Sequence, residues 1–388
     1  MHYINVILFD SNRESFYPLS YSRPIAEIRL GILTIKEKWE HYYKNVSIKT
    51  ESYLNQKFPL NQENDNLWIN SSITPNQQLI TEINALRKGE LLEKNNLVIA
   101  FRSSTFNLKK LNYIKTTNPF TCLNNLQDIF LFNSEEIIVD FYRITQNKFS
   151  TEISSTNNVL GNKIYIHETA KVECCNLNAK SGPIFIGKNV EIMEGSSIRG
   201  PIAICESSVI KMNAKLYGGT TIGPFCKIGG EVNNVIFLGY SSKSHDGFLG
   251  NSVVGEWCNF GADSNNSNLK NNYANVKLWS YKKESFESTD LQFCGLFMGD
   301  HAKCGINTMF NTGTIVGVAV NIFGSGFVRN YIPSFSWGGR SGFILHKKEK
   351  FFETARKVMR RRDKDFTQLD KDIFSNIFDM TKRYRNFD

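Results

Sequence analysis

The chain has no apolar run of about 18 residues, so nothing in it reads as a membrane-spanning helix. Met1 to Phe9 carry neither a basic leader nor a small-residue cleavage site, and the expectation is a cytoplasmic protein. Eight cysteines are present without a single CxxC pair, which argues against a zinc ribbon or a thioredoxin-like centre. A glycine-rich phosphate cradle is also missing from the first half of the chain. The net charge of +9 would suit an anionic partner, yet no nucleic-acid-binding motif accompanies it. Much of the basic excess sits in Lys347, Lys348, Lys350, Arg356, Lys357 and Arg360 to Arg362, where a solvated helix face accounts for it. Phosphorylated small molecules stay compatible, whereas nucleic acid and membrane do not enter the reading.

What the sequence does hold is a period of six. Ile186, Ile192, Ile198, Ile204, Ile210, Leu216, Ile222 and Ile228 follow one another without a break. With roughly a quarter of positions aliphatic, such a run arises by chance on the order of once in 10⁵, so the period is a structural signal. Four residues after each anchor come Val190, Ser196, Ile202, Ser208, Ala214, Thr220, Cys226 and Val232, mostly small or β-branched. One large and one compact inward residue per six is the requirement of short strands joined by tight corners, three of which close one triangular coil of a parallel β-helix. Cys226 and Cys258 fall on compact positions and read as reduced core fillers. Adjacent Cys174 and Cys175 have no motif that assigns them chemistry.

The frame returns after a two-residue slip as Ile236, Phe248, Val254 and Phe260, with Ser242 as a polar exception. It breaks over 265–293 and resumes at Met298, Cys304, Phe310, Val316, Ile322 and Val328, while Ile166 and Val172 suggest an earlier coil. The β-helix is expected over about 164–330. Beyond it, Phe351, Phe352, Ala355, Val358 and Met359, then Phe366, Leu369, Ile373, Ile377 and Met380, form two helical stripes, so two amphipathic helices are expected over about 347–385.

The first part alternates strand and helix patterns. Residues 4–9, 45–49, 97–101 and 136–141 read as strands and 31–43 as a helix, which predicts an α/β layer with a partly parallel sheet. Ligands bind beyond the carboxyl ends of strands in such sheets, which points to Asp10, Arg13, Arg23 and Arg29. Guanidinium forks match phosphate oxygens, though surface arginines in a basic protein would look the same. The predicted division is 1–150, 160–332 and 343–388.

One stretch stands out chemically. Gly239 to Ser264 interrupts the hexads with His245 between Lys243 and Asp246. An imidazole near neutral pH beside a coil groove can take a proton from an amine nucleophile; a structural histidine is the alternative. His245, Phe248-Leu249-Gly250 and Asn259-Phe260-Gly261-Ala262-Asp263-Ser264, with Ile222 to Phe225 upstream, resemble the acetyltransferase half of the GlmU family, the bifunctional UDP-N-acetylglucosamine pyrophosphorylases/glucosamine-1-phosphate N-acetyltransferases.

That resemblance implies a left-handed β-helix, a homotrimer and acetyl-CoA as co-substrate. His245 would be the general base, Asn259 would bind the acceptor or orient the base, and Lys243 would help hold the phosphate. Ala262 and Ser264 would lie by the acetyl-CoA thioester. The family's tyrosine is replaced by Phe248 and its substrate arginine falls near Gly229, leaving Lys270 and Lys277 as replacement phosphate contacts or as solvated loop residues.

Residues 9–40, 69–76 and 127–145 resemble a divergent group of GlmU-like sugar nucleotidyltransferases found in the Bacteroidetes, as do Gly299 to Gly317 and Ile332 to Gly339. This implies nucleotidyl transfer from UTP or dTTP to a hexose 1-phosphate with Mg²⁺, Asp10 meeting the metal and Arg13 the triphosphate. The Leu-x-x-Gly-x-Gly-x-Arg loop of that half is absent. Three readings follow: N-acetylation of an amino-sugar phosphate on the β-helix beside a nucleotidyltransferase-like domain, nucleotidyl transfer alone with the β-helix as an oligomerisation scaffold, and a scaffold without catalysis.

Overall fold

A computed structural model describes residues 4–387. Its spine is the parallel β-helix that the hexads dictate. One face stacks the strands Ile164–Ile166, Ile184–Ile186, Ile202–Ile204 and Thr220–Ile222, each in parallel register with the next. A second stacks Lys171–Val172, Glu191–Ile192, Val209–Ile210, Lys227–Ile228, Ser242–Lys243, Asn259–Phe260, Lys303–Cys304, Asn321–Ile322 and Ser336–Gly339. The third begins at Asn158–Leu160 and continues through Asn176–Asn178, Ser197–Arg199 and Lys215–Leu216. All eight hexad anchors from Ile186 to Ile228 lie in one interior cluster, as do Cys226 and Cys258. Strands therefore extend a little beyond both limits that the period suggests, from Asn158 to Leu345.

The slip in the frame has a physical cause that corrects its later register. Two long strands, Glu231–Gly239 and Phe248–Glu256, run through the corner between the third and first faces and pair along their length. A strand alternates faces every second residue. Val235 and Phe237 thus fill the β-helix, whereas Ile236 and Leu238 point outward into the neighbouring core. The inward set after the slip is Phe237, Lys243 and Leu249, one position on from the expected Ile236, Ser242 and Phe248.

The N-terminal layer is a six-stranded sheet. Asn5–Phe9 lies between Val46–Lys49 and Asn66–Asn70, parallel to both, and Leu97–Ser103 continues the sheet antiparallel. Helix α1 (Ile35–Glu40) begins with a capping box in which Thr34 and Glu37 exchange side-chain and backbone bonds. The helix expected over 31–43 is shorter because Arg29–Leu30 and Leu33–Thr34 pair first as a small hairpin. After α2 (Gln77–Ala85), the segment expected as a strand at 136–141 is instead the middle of α3 (Asp128–Thr145). Its buried positions Ile129, Phe130, Asn133, Glu136, Ile137 and Asp140 recur at three and four residues, a period that a six-residue window conceals.

Helix α3 joins the sheet domain to the first face of the β-helix. Ile137 and Phe141 pack on Tyr165, Ala203 and Cys205, while Asn133 donates to the Gly219 carbonyl at 2.7 Å and to the Thr221 hydroxyl at 3.0 Å. Behind it, Lys38, fully buried, donates to Glu136 at 2.8 Å and to Asp140, and Asp140 also accepts from the Ile32 amide at 2.9 Å. The C-terminal helices α4 (Lys348–Arg360) and α5 (Gln368–Met380) pack Phe351, Phe366 and Phe374 against His301 of the β-helix. Within the 265–293 insertion, Lys277–Ser280 and Ser285–Ser288 form a hairpin, and Tyr281 at its turn meets Tyr17 and Tyr21 edge-on. No helix of the described residues is long and apolar enough to cross a membrane.

Candidate functional site

His245 projects from the corner that joins the second face of the β-helix to the third. The turn Ser244 to Gly247 depends on glycine: Gly247 has φ +116°, and a Cβ there would stand 2.3 Å from the Ser264 carbonyl oxygen. The corner of the next coil anchors it, with the Asp263 amide donating to the Asp246 carbonyl at 3.1 Å and the Phe248 amide to the Asn265 side chain at 2.7 Å. Beside the imidazole opens a cleft of about 760 Å³, floored by Gly229 and Gly230 and bounded by Lys211, Asp246, Ala262 and Asp263. His245 is exposed to it, and the carboxylates of Asp246 and Asp263 line the same cleft. The arrangement suits abstraction of a proton from a ligand lying along the stacked corners.

Lys243 is not in that cleft. The register shift turns it inward, where it is 2% exposed and donates to the carbonyl oxygens of His245 at 2.8 Å and Gly229 at 3.1 Å. Burial pulls its ammonium down to about 8, against the opposing pull of Asp246, Cys304 and Asp263. It cannot hold a substrate phosphate from inside the coil; it ties the His245 corner to the corner before it. The expected phosphate role is corrected on that ground.

The remaining expected residues divide. Ala262 lines the cleft, but Ser264 is buried with its hydroxyl donating to the carbonyls of Gly261 at 2.8 Å and Gly305 at 3.2 Å, so only its backbone is near. Asn259 is exposed on the second face, in register with Ser242. Phe248 starts the long strand and its ring lies against Gly250. Lys270 donates to the Asn275 carbonyl at 2.8 Å within the insertion, and neither it nor Lys277 lines the His245 cleft. Lys211 and Met193 do, and hexad reading passed them over; stepping back 18 residues at a time from Gly229 would have found both, because a regular coil has that length.

The N-terminal candidates are not gathered into one phosphate site. Asp10 accepts from the Ile25 amide at 2.9 Å and from the Arg13 guanidinium at 2.6 Å, and also takes the Thr50 hydroxyl. Arg13 in turn donates to the carbonyls of Ser20 and Arg23. Both serve to fasten the segment after the first strand. No group of three or more His, Cys, Asp and Glu side chains among the described residues is placed to hold a metal ion, and the oxygens of Asp10 already have partners. The residues present do not fit a resident Mg²⁺.

Arg23 and Arg29 sit elsewhere, in a cleft of about 390 Å³ between the N-terminal segment, the β-helix and α5. Arg23 pairs with Asp300 and, at 3.2 Å, with Glu256; Arg29 lies 3.6 Å from Glu37. Along the wall, Phe225, Tyr240, Trp257 and His301 stack as a ladder, one from each successive coil corner, with centroid separations of 4.9, 4.3 and 6.0 Å. Each of the four occupies the left-handed region at its corner. Burial, with Lys303, Lys57 and Arg23 nearby, holds His301 well below the ordinary histidine range.

Comparison with known proteins gives three kinds of likeness. A family model described as sugar nucleotidyl transferase matches residues 6–148. A bifunctional protein GlmU of Methanocaldococcus jannaschii is 30% identical over 118 residues, which are 30% of this chain and 26% of that protein. A bifunctional sugar-1-phosphate nucleotidylyltransferase/acetyltransferase of Sulfurisphaera tokodaii is 30% identical over 166 residues, 42% of this chain and 40% of that one. Less than half of either relative is thus spanned. Among solved structures, an Arabidopsis UDP-N-acetylglucosamine acyltransferase aligns over 60% of this chain and 82% of its own, at 15% identity and a TM-score of 0.23.

Proposed function

We propose, for a GlmU-like chain whose first domain matches the sugar nucleotidyl transferase family, that the β-helix transfers an acetyl group from acetyl-CoA to the amine of an amino-sugar phosphate. The observation that carries this reading is the exposed imidazole of His245 over a groove of stacked corners, in a stretch that resembles the acetyltransferase half of the family. The sugar amine reacts as the free base, and His245 takes a proton from its nitrogen as that nitrogen attacks the thioester carbonyl. The tetrahedral intermediate collapses by breaking the carbon–sulfur bond, and the imidazolium returns the proton to the departing thiolate. Asp246 and Asp263 beside the cleft stabilise the imidazolium while it exists.

Asn259 and the backbone at Ala262 are assigned to the acceptor and the thioester, and Lys211 to the substrate phosphate in place of Lys243. The groove is open along one side, which fits a homotrimer whose neighbouring copy closes it, and the enzyme is placed in the cytoplasm. Release of free CoA thiol is the direct assay. His245→Ala should abolish acetyl transfer to glucosamine 1-phosphate while leaving the circular dichroism spectrum intact; unchanged turnover would reject the assignment.

A second reading is a sugar-1-phosphate nucleotidylyltransferase that uses UTP or dTTP with Mg²⁺, the β-helix serving as scaffold. The match over residues 6–148 favours it. The pairing of Asp10 with Arg13, and the missing glycine-rich loop whose amides would stabilise a transferring phosphoryl group, weigh against it. Nucleotide-sugar formation without any need for acetyl-CoA would establish it.

A further inference from the structure

The cleft that holds Arg23 and Arg29 lies at the other edge of the second β-helix face from His245, and acyl transfer makes no use of it. Three deeply buried side chains at its wall keep a nitrogen without a partner: Arg23 Nη1, Arg29 Nε and His301 Nδ1. These residues are 5%, 9% and 3% exposed, so bulk water does not satisfy them cheaply. The three nitrogens have almost no accessible surface themselves, so a polar ligand in the cleft satisfies them as the side chains turn toward it.

The charges restrict what that ligand is. Every cation at the cleft already has a carboxylate: Arg23 has Asp300 and Glu256, Arg29 faces Glu37, and Lys57 donates to Asp370 at 2.8 Å. Two further acids, Glu27 and Glu206, line the same space and form no ion pair among the described residues. Six carboxylates therefore face three cations. A phosphate would enter against that excess. Hydroxyl groups, by contrast, both accept from the vacant guanidinium N–H groups and donate to carboxylates.

An ammonium on the same ligand would answer Glu27 and Glu206, and the edges of Phe225, Tyr240 and Trp257 give an apolar wall for the carbon face of a ring. A volume of about 390 Å³ is near the lower end for small-molecule sites and suits one sugar ring. We propose that this cleft is a second ligand site, separate from the His245 groove, which binds an unphosphorylated amino-hexose. It draws on the sheet domain, the β-helix and α5 at once, so occupancy would hold the three together. The proposal does not depend on acyl transfer at His245.

The test is calorimetric titration of the full chain with glucosamine, glucose and inorganic phosphate. Glucosamine should bind with one site per chain, and glucose should bind about tenfold more weakly for want of the charged contact. Glu206→Gln and Glu27→Gln, which leave the Arg23 and Arg29 pairs in place, should each weaken glucosamine by about tenfold. His245→Ala should leave it unchanged. Glucosamine binding that vanishes in His245→Ala and survives both glutamine variants would overturn the second site. Phosphate binding in preference to glucosamine would overturn its ligand class, and so would no binding of glucosamine at all.

Discussion

The ammonium nitrogen of Lys243 lies 2.8 Å from the carbonyl oxygen of His245, inside a β-helix whose other inward positions carry mostly apolar or small hydroxyl side chains. A charge in that place is unfavourable unless it does something for the fold or the site. Here it fixes two successive corners, through Gly229 and His245, beneath the groove in which His245 would act.

Lys243→Met tests that role through pH. Burial pulls the Lys243 ammonium down to about 8 from an ordinary 10.5, and Lys303 is displaced likewise. Between those values the unfolded lysine holds a proton that the native one lacks, so the contribution of each of these two lysines to stability rises as pH rises from about 8 to 10.5. Buried thiols such as Cys226, Cys258 and Cys294, and buried tyrosines such as Tyr281, are held above their ordinary values and pull the total the other way, so the reading is a difference: the urea midpoint of the wild type relative to that of Lys243→Met should rise between about pH 8 and 10.5. Acetyl transfer should fall about tenfold in kcat as the corner loosens. A variant with wild-type slope and wild-type kcat would remove Lys243 from the account.

Lys38→Met addresses the joint between sheet domain and β-helix. Its ammonium is enclosed by Glu136 and Asp140, and Asp140 also takes the Arg143 guanidinium. Removing the lysine leaves buried carboxylates short of charge and should cost about 3–5 kcal/mol in chemical denaturation. Lys357→Ala on the exposed surface of α4, which breaks only the pair with Glu353, should leave the midpoint where it was.

His301 sets the acid limb. Its imidazole is held well below the ordinary 6.5, so native His301 stays neutral where the unfolded residue gains a proton. The contribution of His301 to stability should therefore fall as pH drops through about 6.5 and below, against the opposite pull of Asp300 and Glu27, whose carboxyls burial raises. His301→Phe should remove that contribution and leave the one from His346, which burial lowers as well. Thermal midpoints between pH 7 and pH 5 would run parallel in the two proteins if His301 were not responsible.

The hexads were readable because each anchor is apolar for one local reason, its place inside a coil, and the eight from Ile186 to Ile228 all lie in the interior cluster. The register was lost where a corner disappears into the strand Glu231–Gly239, since period two then replaces period six for a few residues. That shift turns Lys243 inward, where a fixed six-residue frame would leave it on the surface. Helix α3 was missed over 136–141 because both of its faces carry apolar residues, one for the sheet domain and one for Tyr165 and Ala203 of the β-helix. The cleft around Arg23 and His301 was beyond reach for another reason: Ser22 and Asp300 hydrogen-bond directly across 278 positions, and no local pattern announces that meeting.

The most direct test of the acyltransferase account is calorimetric titration of the purified protein with acetyl-CoA, with UTP or dTTP plus Mg²⁺ titrated in parallel. The account predicts saturable acetyl-CoA binding with a Kd on the order of micromolar. Nucleotide binding with no heat from acetyl-CoA would contradict it and leave the β-helix as a scaffold.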